Sequence, residues 1–461
     1  MIDDTFTRLI KALDAPVGRY KMLDAYWYGR QPLAFIAPEQ RKALGDRMGR
    51  LVANIPRLTV LSIADRLKVQ SFDGVDISQE WEANDMPQHS GTLFKEALLL
   101  GAAYVLVSTN PDGSPRITVE SAKQVTVERD PATRQVTSAL KRWETRTTTE
   151  ATLFLPDRIV RFTANGKGAT ASAFKQVDEW SNPLGVVPIV PVVNSDRLLD
   201  VDGVSEIWDL IPLCDLANKL LCDMAVTSEM TGMPRRWITG MTLGERIVTN
   251  ADGTPVLDAN GLPVREPVNP ISEDTYKMAV AASSDARFGQ WEAASMAGYE
   301  SGMRVVMASI GAISSLPPAY LNMTNSQPTS ADAVRAQESS LTAKVEAKEL
   351  AFGPGLEQVA ALVVAIRDGV DPASVTARVT WADAASRSVA QEADAAVKLF
   401  QAGVLACSTT QRRLGMSDDE IAADRAARRA EALDAQGVTL LTPKPADPAT
   451  APASPETAAA A

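Results

Sequence analysis

The 461-residue chain has one histidine, His89, and three cysteines, Cys214, Cys222 and Cys407. An odd, sparse set of cysteines excludes a disulfide scaffold. Zinc sites need paired Cys or His ligands at short spacing, and the spacing of Cys214 and Cys222 only puts two small apolar side chains on similar helix faces, a core pattern. A Ser-His-Asp or Cys-His hydrolase would have to be built on His89. That residue lies in the polar stretch Asn84-Asp85-Met86-Pro87-Gln88-His89-Ser90-Gly91, read as a loop in which a lone histidine is a solvated side chain. Positive charge is also short: 46 Lys+Arg stand against 57 Asp+Glu, a net charge of −11. That balance excludes a basic DNA-packaging protein, whose affinity would come from surplus cations. Long apolar runs are missing too. The longest, Ala97 to Val107, is far below the roughly 18–20 residues needed to span a bilayer, and the acidic start Met1-Ile2-Asp3-Asp4 is no signal peptide. The expectation is a soluble protein with no membrane partner.

Phosphate-binding and catalytic signatures are absent as well. Asn165-Gly166-Lys167-Gly168 lacks the glycine five positions ahead of its Gly-Lys pair and has Gly where a Mg²⁺-binding Ser or Thr would stand, so it reads as a hairpin turn. Neither G-x-S-x-G, G-x-G-x-x-G nor a kinase signature occurs. The many Asp and Glu residues show no metal-type spacing. Accordingly the sequence assigns no catalytic residue, no metal and no cofactor.

What is present is an ordinary folding composition, 45% apolar and 22% charged, long enough for several cores. Residues 1–72 read as helical, with Leu9, Leu13, Tyr20, Leu23 and Trp27 at near-helical spacing until Gly29 and Pro32. Val60, Ala64 and Leu67 share a stripe of an amphipathic helix within Asn54–Gly74. Between Leu93 and Val193 short β-rich runs alternate with Asn110-Pro111-Asp112-Gly113, Asp130-Pro131 and Asn165-Gly166-Lys167-Gly168, the chemistry of an antiparallel sheet.

A helix over Val204–Met230 carries Glu206, Asp209, Asp215, Asp223 and Glu229 against one Lys219. From Pro234-Arg235-Arg236-Trp237 to Phe288 turn signals punctuate short strands, a β-containing insertion between two helices, the second over Trp291–Ser315. "SSLPPAYLNMTNSQPTS" breaks the pattern before a helix reaching Arg367, with Gly353-Pro354-Gly355 as an expected kink. A strand over Ala377–Asp383 and two more helices follow, the last capped by Ser417 and Glu420 and rich in Ala and Arg. From Gln436 to Ala461 a Pro-, Ala- and Thr-rich tail is expected to be disordered.

Taken in order, Tyr26-Trp27-Tyr28-Gly29, "NIPRLTVLSIADRLKVQSF", Ala97 to Val107, Pro234-Arg235-Arg236-Trp237 with Gly240, and "SSLPPAYLNMTNSQPTSADAVRAQESSLTAKVEAKELAFG" resemble the portal proteins of tailed double-stranded-DNA bacteriophages, the type of siphophages infecting Gram-positive hosts. The resemblance covers roughly Phe6 to Met416. It implies an α+β portal fold divided as follows: N-terminal helices and β-rich wing 1–203, stem helix 204–233, clip 234–290, second stem helix 291–315, tunnel loop 316–329, long helix and wing return strand 330–383, small helical crown 384–435, and tail 436–461.

The same resemblance implies a homododecameric ring at the capsid vertex, assembled in the host cytoplasm. Its partners would be the terminase large subunit, a head-completion adaptor, the major capsid and scaffolding proteins, and duplex DNA passing without sequence specificity. The five acidic residues become channel-wall candidates, since carboxylates repel phosphates over a Debye length of about 8 Å. They equally suit a solvated helix face. Asn322, Met323, Thr324, Asn325, Ser326 and Gln327 form the implied tunnel loop, uncharged and so able to touch a duplex without locking to it. Arg235, Arg236 and Trp237 are clip candidates. Arg425, Arg428 and Arg429 are crown cations that could approach DNA, although Asp424 and Arg428 at i,i+4 suit an ordinary salt bridge. The alternatives are another structural head protein, or a capsid-associated nuclease using clustered carboxylates and a metal.

Overall fold

In the computed structural model, the described residues are 2–32, 52–232, 236–240, 244–250, 252–268, 285, 287–290, 296–323, 331–385, 389–416 and 418–441. The chain divides into two units, Met1–Ala385 and Ser386–Ala461.

The first unit opens with α1 (Ile2–Asp14) and α2 (Val17–Trp27). Helix α3 (Ile55–Ala64) starts where Asn54 accepts the Arg57 amide at 3.4 Å and Pro56 occupies the first turn, two ordinary start signals. It ends earlier than its amphipathic pattern implied. Val69–Asp73 is instead a strand, β1, paired antiparallel with β14 (Arg378–Trp381). A second departure concerns His89. After α4 (Ser78–Ala83), helix α5 spans Met86–Leu100, so His89 sits exposed on a helix and not in a loop. Pro87 fits the first turn, where its missing N–H costs nothing, and burial of Met86, Leu93, Phe94 and Ala97 holds the helix down.

The apolar run 97–107 is divided by Gly101, whose φ of 98° closes α5 and lets β2 (Ala102–Thr109) turn back across it. Strand β2 is the centre of an antiparallel sheet with β3 (Pro115–Ser121) and β9 (Ile189–Val193). A second antiparallel sheet runs in chain order through β4 (Val125–Arg129), β5 (Val136–Glu144), β6 (Thr148–Phe154), β7 (Arg158–Asn165) and β8 (Lys175–Ser181). Its alternation fixes which face each residue meets. Leu140, Leu153, Val160 and Phe162 pack on Phe6, Leu9 and Ile10 of α1, with Phe6 stacked on Phe162 at 4.1 Å, while Ala139 and Phe154 face the main core.

Helix α6 (Ile211–Gly232) and helix α7 (Ala297–Ser314) pack together, and the short strands β10 (Arg236–Thr239), β11 (Gly244–Ile247), β12 (Arg265–Val268) and β13 (Arg287–Gln290) lie between them in sequence. Helix α8 (Ala331–Asp368) supplies Leu341, Val345, Phe352, Leu356, Val359 and Val363 to the main core, and its Phe352 ring lies parallel to Phe94 at 5.7 Å. It passes through Pro354 as one helix, with Gly355 against β9: a β-carbon there would lie 3.1 Å from the Pro191 carbonyl oxygen. Within α8, Ala333–Asp368 is the helix, among the described residues, that is long and apolar enough to cross a membrane; its apolar face is spent on this core. The return strand expected to join the residues of 93–193 pairs with β1 instead, because Trp381 and Val379 pack beside Phe94 in the main core.

Among its described residues the second unit has three helices where two were expected: α9 (Val389–Gln401), α10 (Cys407–Arg413) and α11 (Asp418–Leu441). Helix α11 runs past Gln436, the expected start of the tail, to Leu441.

Candidate functional site

The paired helices α6 and α7 are held by Cys214 and Ala217 of the first against Val306 and Ile310 of the second, with Leu210 and Ile55 completing the cluster. Higher up, Thr227 and Tyr299 share a hydrogen bond of 3.0 Å between their hydroxyls. Both Cys214 and Cys222 are buried free thiols, and burial pushes the Cys214 thiol up to about 12, which makes it an inert packing group. In the chain β10 follows α6 and β13 precedes α7, and the two strands pair in the register Arg236↔Gln290 and Trp237↔Gly289. Strands β11 and β12 pair separately. Arg236 and Trp237 therefore lie on the strand that leaves α6, whereas Arg235 lies outside the described residues.

The acidic residues expected on one helix over Val204–Met230 are dispersed by the structure. Glu206 precedes α6 altogether. Its carboxylate is 7% exposed and is clamped by Lys344 and by Lys348, the latter at 3.1 Å. Burial alone would push that carboxyl up, but the two ammonium groups outweigh it and hold Glu206 below the usual carboxylate range. Asp209 is exposed in a single 3₁₀ turn, Trp208–Leu210. Asp215 accepts the Tyr26 hydroxyl at 2.8 Å, and Tyr26 is itself pushed up, first by burial and then by that bond. Asp223 is paired with Lys219 one turn earlier. Glu229 is on α6, with its side chain outside the described set. Three of the five carboxylates are thus committed to partners inside the chain, and Glu206 and Asp209 lie ahead of the helix expected to carry them.

The segment after α7 is tethered at its start. On the leading side Pro318–Leu321 forms a 3₁₀ turn whose Tyr320 hydroxyl donates to Glu338 at 3.2 Å and accepts from Arg66 at 3.3 Å. Arg66 also contacts Glu338 at 3.0 Å and donates to the Ala384 carbonyl at 2.9 Å. On α8, Lys344 donates to the Ser314 carbonyl at 3.4 Å, and Ser340 to the Ser315 carbonyl at 3.3 Å. Asn322, with φ 53°, and Met323 lead out of this anchor, whereas Thr324, Asn325, Ser326 and Gln327 lie outside the described residues. Sequence reasoning missed this anchor because Arg66 and Glu338 are 272 positions apart and neither carries a motif.

In the second unit, Arg425 and Arg429 are exposed on α11. Arg428 is engaged by Asp424 at 2.8 Å and donates to the Cys407 sulfur. Early in the chain Tyr26 is buried in the core, Trp27 lies beneath the Arg57 guanidinium at 5.4 Å, and Tyr28 is 60% exposed. Among the described residues, no group of three or more His, Cys, Asp or Glu side chains is placed to hold a metal ion.

Comparison with known proteins gives this arrangement its setting. The family model described as "Phage portal protein, SPP1 Gp6-like" matches residues 9–434. The portal protein of Mycobacterium phage L5 is 30% identical over 482 residues, covering 96% of this chain and 94% of that protein. The portal protein of Mycobacterium phage D29 is 30% identical over 486 residues, again 96% of this chain and 94% of that protein. Among solved structures, the neck of a native gene transfer agent particle computed with C12 symmetry aligns over 86% of this chain and 99% of its own, at 14% identity and a TM-score of 0.42. With a family model spanning nearly its whole length and two relatives matched end to end, the chain belongs to the SPP1 Gp6-like family of phage portal proteins.

Proposed function

We propose that copies of this chain close into a ring, a dodecamer, at one vertex of a phage capsid, and that the ring is the conduit for DNA entering and leaving the head. The observation that carries this reading is the pair of packed helices, α6 and α7, joined beyond their far ends by the β10–β13 strand pair. Such a rod capped by a small sheet suits the wall of an axial channel with a docking platform at its tip, in a family whose members are structural and not enzymes. Family membership therefore sets aside the nuclease considered from the sequence.

In this reading α6 and α7 are the stem and 234–290 the clip, with Arg235, Arg236 and Trp237 at its root. Residues 322–327 are the tunnel-loop candidates, following the anchor of Tyr320, Arg66 and Glu338 in the chain, while the sheets β2–β9 form the wing and α9–α11 the crown. The clip would receive the terminase large subunit during packaging and a head-completion adaptor afterwards; the wing would meet the major capsid and scaffolding proteins, first in the host cytoplasm and then in the virion. Wall contacts that lack fixed phosphate partners let a duplex slide in either direction.

Negative-stain electron microscopy of the purified full chain tests the proposal: rings with a central hole are expected. A chain that stays monomeric at every concentration overturns it. Cross-linking to terminase, as opposed to the major capsid protein alone, separates a portal from another structural head component.

A further inference from the structure

Resting on the ring reading, we propose that the loop 195–204 of one copy docks into the cavity between the two sheets of the next, so that the ring closes by a knob-in-cavity contact. The loop is unusual in what it shows to solvent. The Asp200 amide bonds the Arg197 carbonyl at 3.3 Å, closing a turn whose two central residues are Leu198 and Leu199, 78% and 90% exposed. Central turn positions ordinarily go to Gly, Asn, Asp or Pro, which satisfy turn geometry without placing apolar surface in water. A second turn, closed from the Gly203 amide to the Asp200 carbonyl at 3.0 Å, adds Val201, 50% exposed.

These leucines are held outward by a stiff base. Asn194 donates to the Val204 carbonyl at 2.8 Å, Lys348 contacts Asp196 at 3.0 Å, and Gly203 lies backbone to backbone against Gly101. A floppy loop could fold its leucines back onto the protein. This one is fastened in the arrangement that exposes them, which is preorganisation for a partner.

The cavity has complementary chemistry. Of about 1480 Å³, it is lined by Trp143, Phe154, Trp180, Leu184, Ile366 and Val370 together with smaller and polar residues. Its charged lining residues, Lys141 and Asp371, are already satisfied: Lys141 is paired with Glu120 and Asp371 accepts the Ala373 amide at 2.9 Å. A largely apolar cavity with Trp143, Phe154 and Trp180 in its wall suits the apolar turn Leu198-Leu199, with the flanking Asp196, Arg197, Asp200 and Asp202 left at its mouth. Trp180 and Val370 remain 46% and 42% exposed at its edge.

Position turns these two features into an interface. Strand β9 has Pro188 in the cavity at one end and Asn194 at the knob's base at the other, and β2 runs the same way in reverse, from Gly101 at the base to Leu106–Thr109 in the cavity. Helix α8 carries Lys348 to the knob and Ile366 to the cavity, about 27 Å apart at 1.5 Å per residue. The chain cannot fill its own cavity with its own knob across that distance. A ring of identical copies needs a heterologous contact, two different patches on each subunit, and this is such a pair.

Single-cysteine variants on a Cys407→Ser background test it, with Cys214 and Cys222 left buried. Leu199→Cys is mixed with Val370→Cys, assembled, treated with a short bis-maleimide and run on a denaturing gel. A dimer band from the mixture, and from neither variant alone, is expected. In parallel, the double variant Leu198→Asp/Leu199→Asp should keep its circular dichroism spectrum and raise the concentration at half-assembly about a hundredfold, the burial of two leucines expressed as affinity. Rings without the mixed cross-link overturn the docking and leave the ring reading intact. Leu199→Cys cross-linking to itself, or Leu199 becoming protected only when capsid or motor protein is added, also overturns it. A wild-type chain that never assembles overturns both.

Discussion

Glu206 shows how a single carboxylate changes meaning with its surroundings. Its partners Lys344 and Lys348 come from more than a hundred residues away, so nothing local in the sequence separates it from the acidic residues that follow it. Removing its charge leaves the 5% exposed Lys348 with Asp196 as its remaining carboxylate and Lys344 with the Ser314 carbonyl, so the loss is below the about 3–5 kcal/mol of a buried pair broken outright, on the order of 2 kcal/mol. Glu206→Gln should therefore lower the denaturant midpoint strongly at neutral pH. Because the folded carboxyl titrates below its unfolded value, its stabilisation is present above the unfolded pKa of about 4.3 and is lost as pH falls through the folded one. The gap between wild type and variant should close in acid, measured by urea unfolding across a pH series.

Glu349 behaves in the opposite sense: burial first, then Glu346 and Asp383, push its carboxyl up to about 7. A raised folded pKa means that stability is full below the unfolded value and declines as pH rises through about 7. Glu349→Gln should raise the unfolding midpoint at pH 8 and leave it unchanged at pH 4. An equal effect at both would show that ionisation of this carboxyl is not the cause.

Among the elements, the ones read correctly from sequence are those specified locally, and the misreadings come from pairing at a distance. Strands β2 to β9 were legible because turn residues separate alternating runs. Strand β1 was hidden in a helical-looking stripe because its partner, β14, lies three hundred residues on. The first turns of α5 read as a loop because Asp85, Pro87 and Gly91 imitate turn chemistry, and the buried Met86 and Leu93 show why they are helical. Glycine 101 and its neighbour in space illustrate the same point. At Gly203, φ is 73° and a β-carbon would lie 1.9 Å from the Gly101 carbonyl oxygen. Backbone meets backbone, so neither side can swing away. Gly203→Ala should destabilise the first unit by about 2–4 kcal/mol, whereas Gly113→Ala, at φ 88° with open space around it, should cost only about 1 kcal/mol. Equal losses in the two variants, read from chemical denaturation, would remove the close approach as the cause.

At the scale of the whole molecule, charge sets the terms on which a duplex meets the protein. The chain carries a net charge of −11, and of the carboxylates expected on the channel wall, Glu206, Asp215 and Asp223 are already bound to internal partners. On the proposed ring reading, repulsion of a duplex therefore rests on the overall charge balance more than on those five residues. Non-specific DNA binders gain affinity by releasing counterions, and log K falls with log salt at a slope of about −0.9 per phosphate contact. Binding of the assembled protein to duplex DNA, followed by fluorescence anisotropy from low to high salt, should therefore be weaker than about 10⁻⁴ M at physiological salt and nearly flat in slope. The exposed cations Arg425 and Arg429 provide the counter-case. If they grip the backbone, the slope is steep and Arg425→Gln/Arg429→Gln flattens it; a shallow slope in the wild type, unchanged by that double substitution, is the result expected of a conduit that passes a polyanion without holding it.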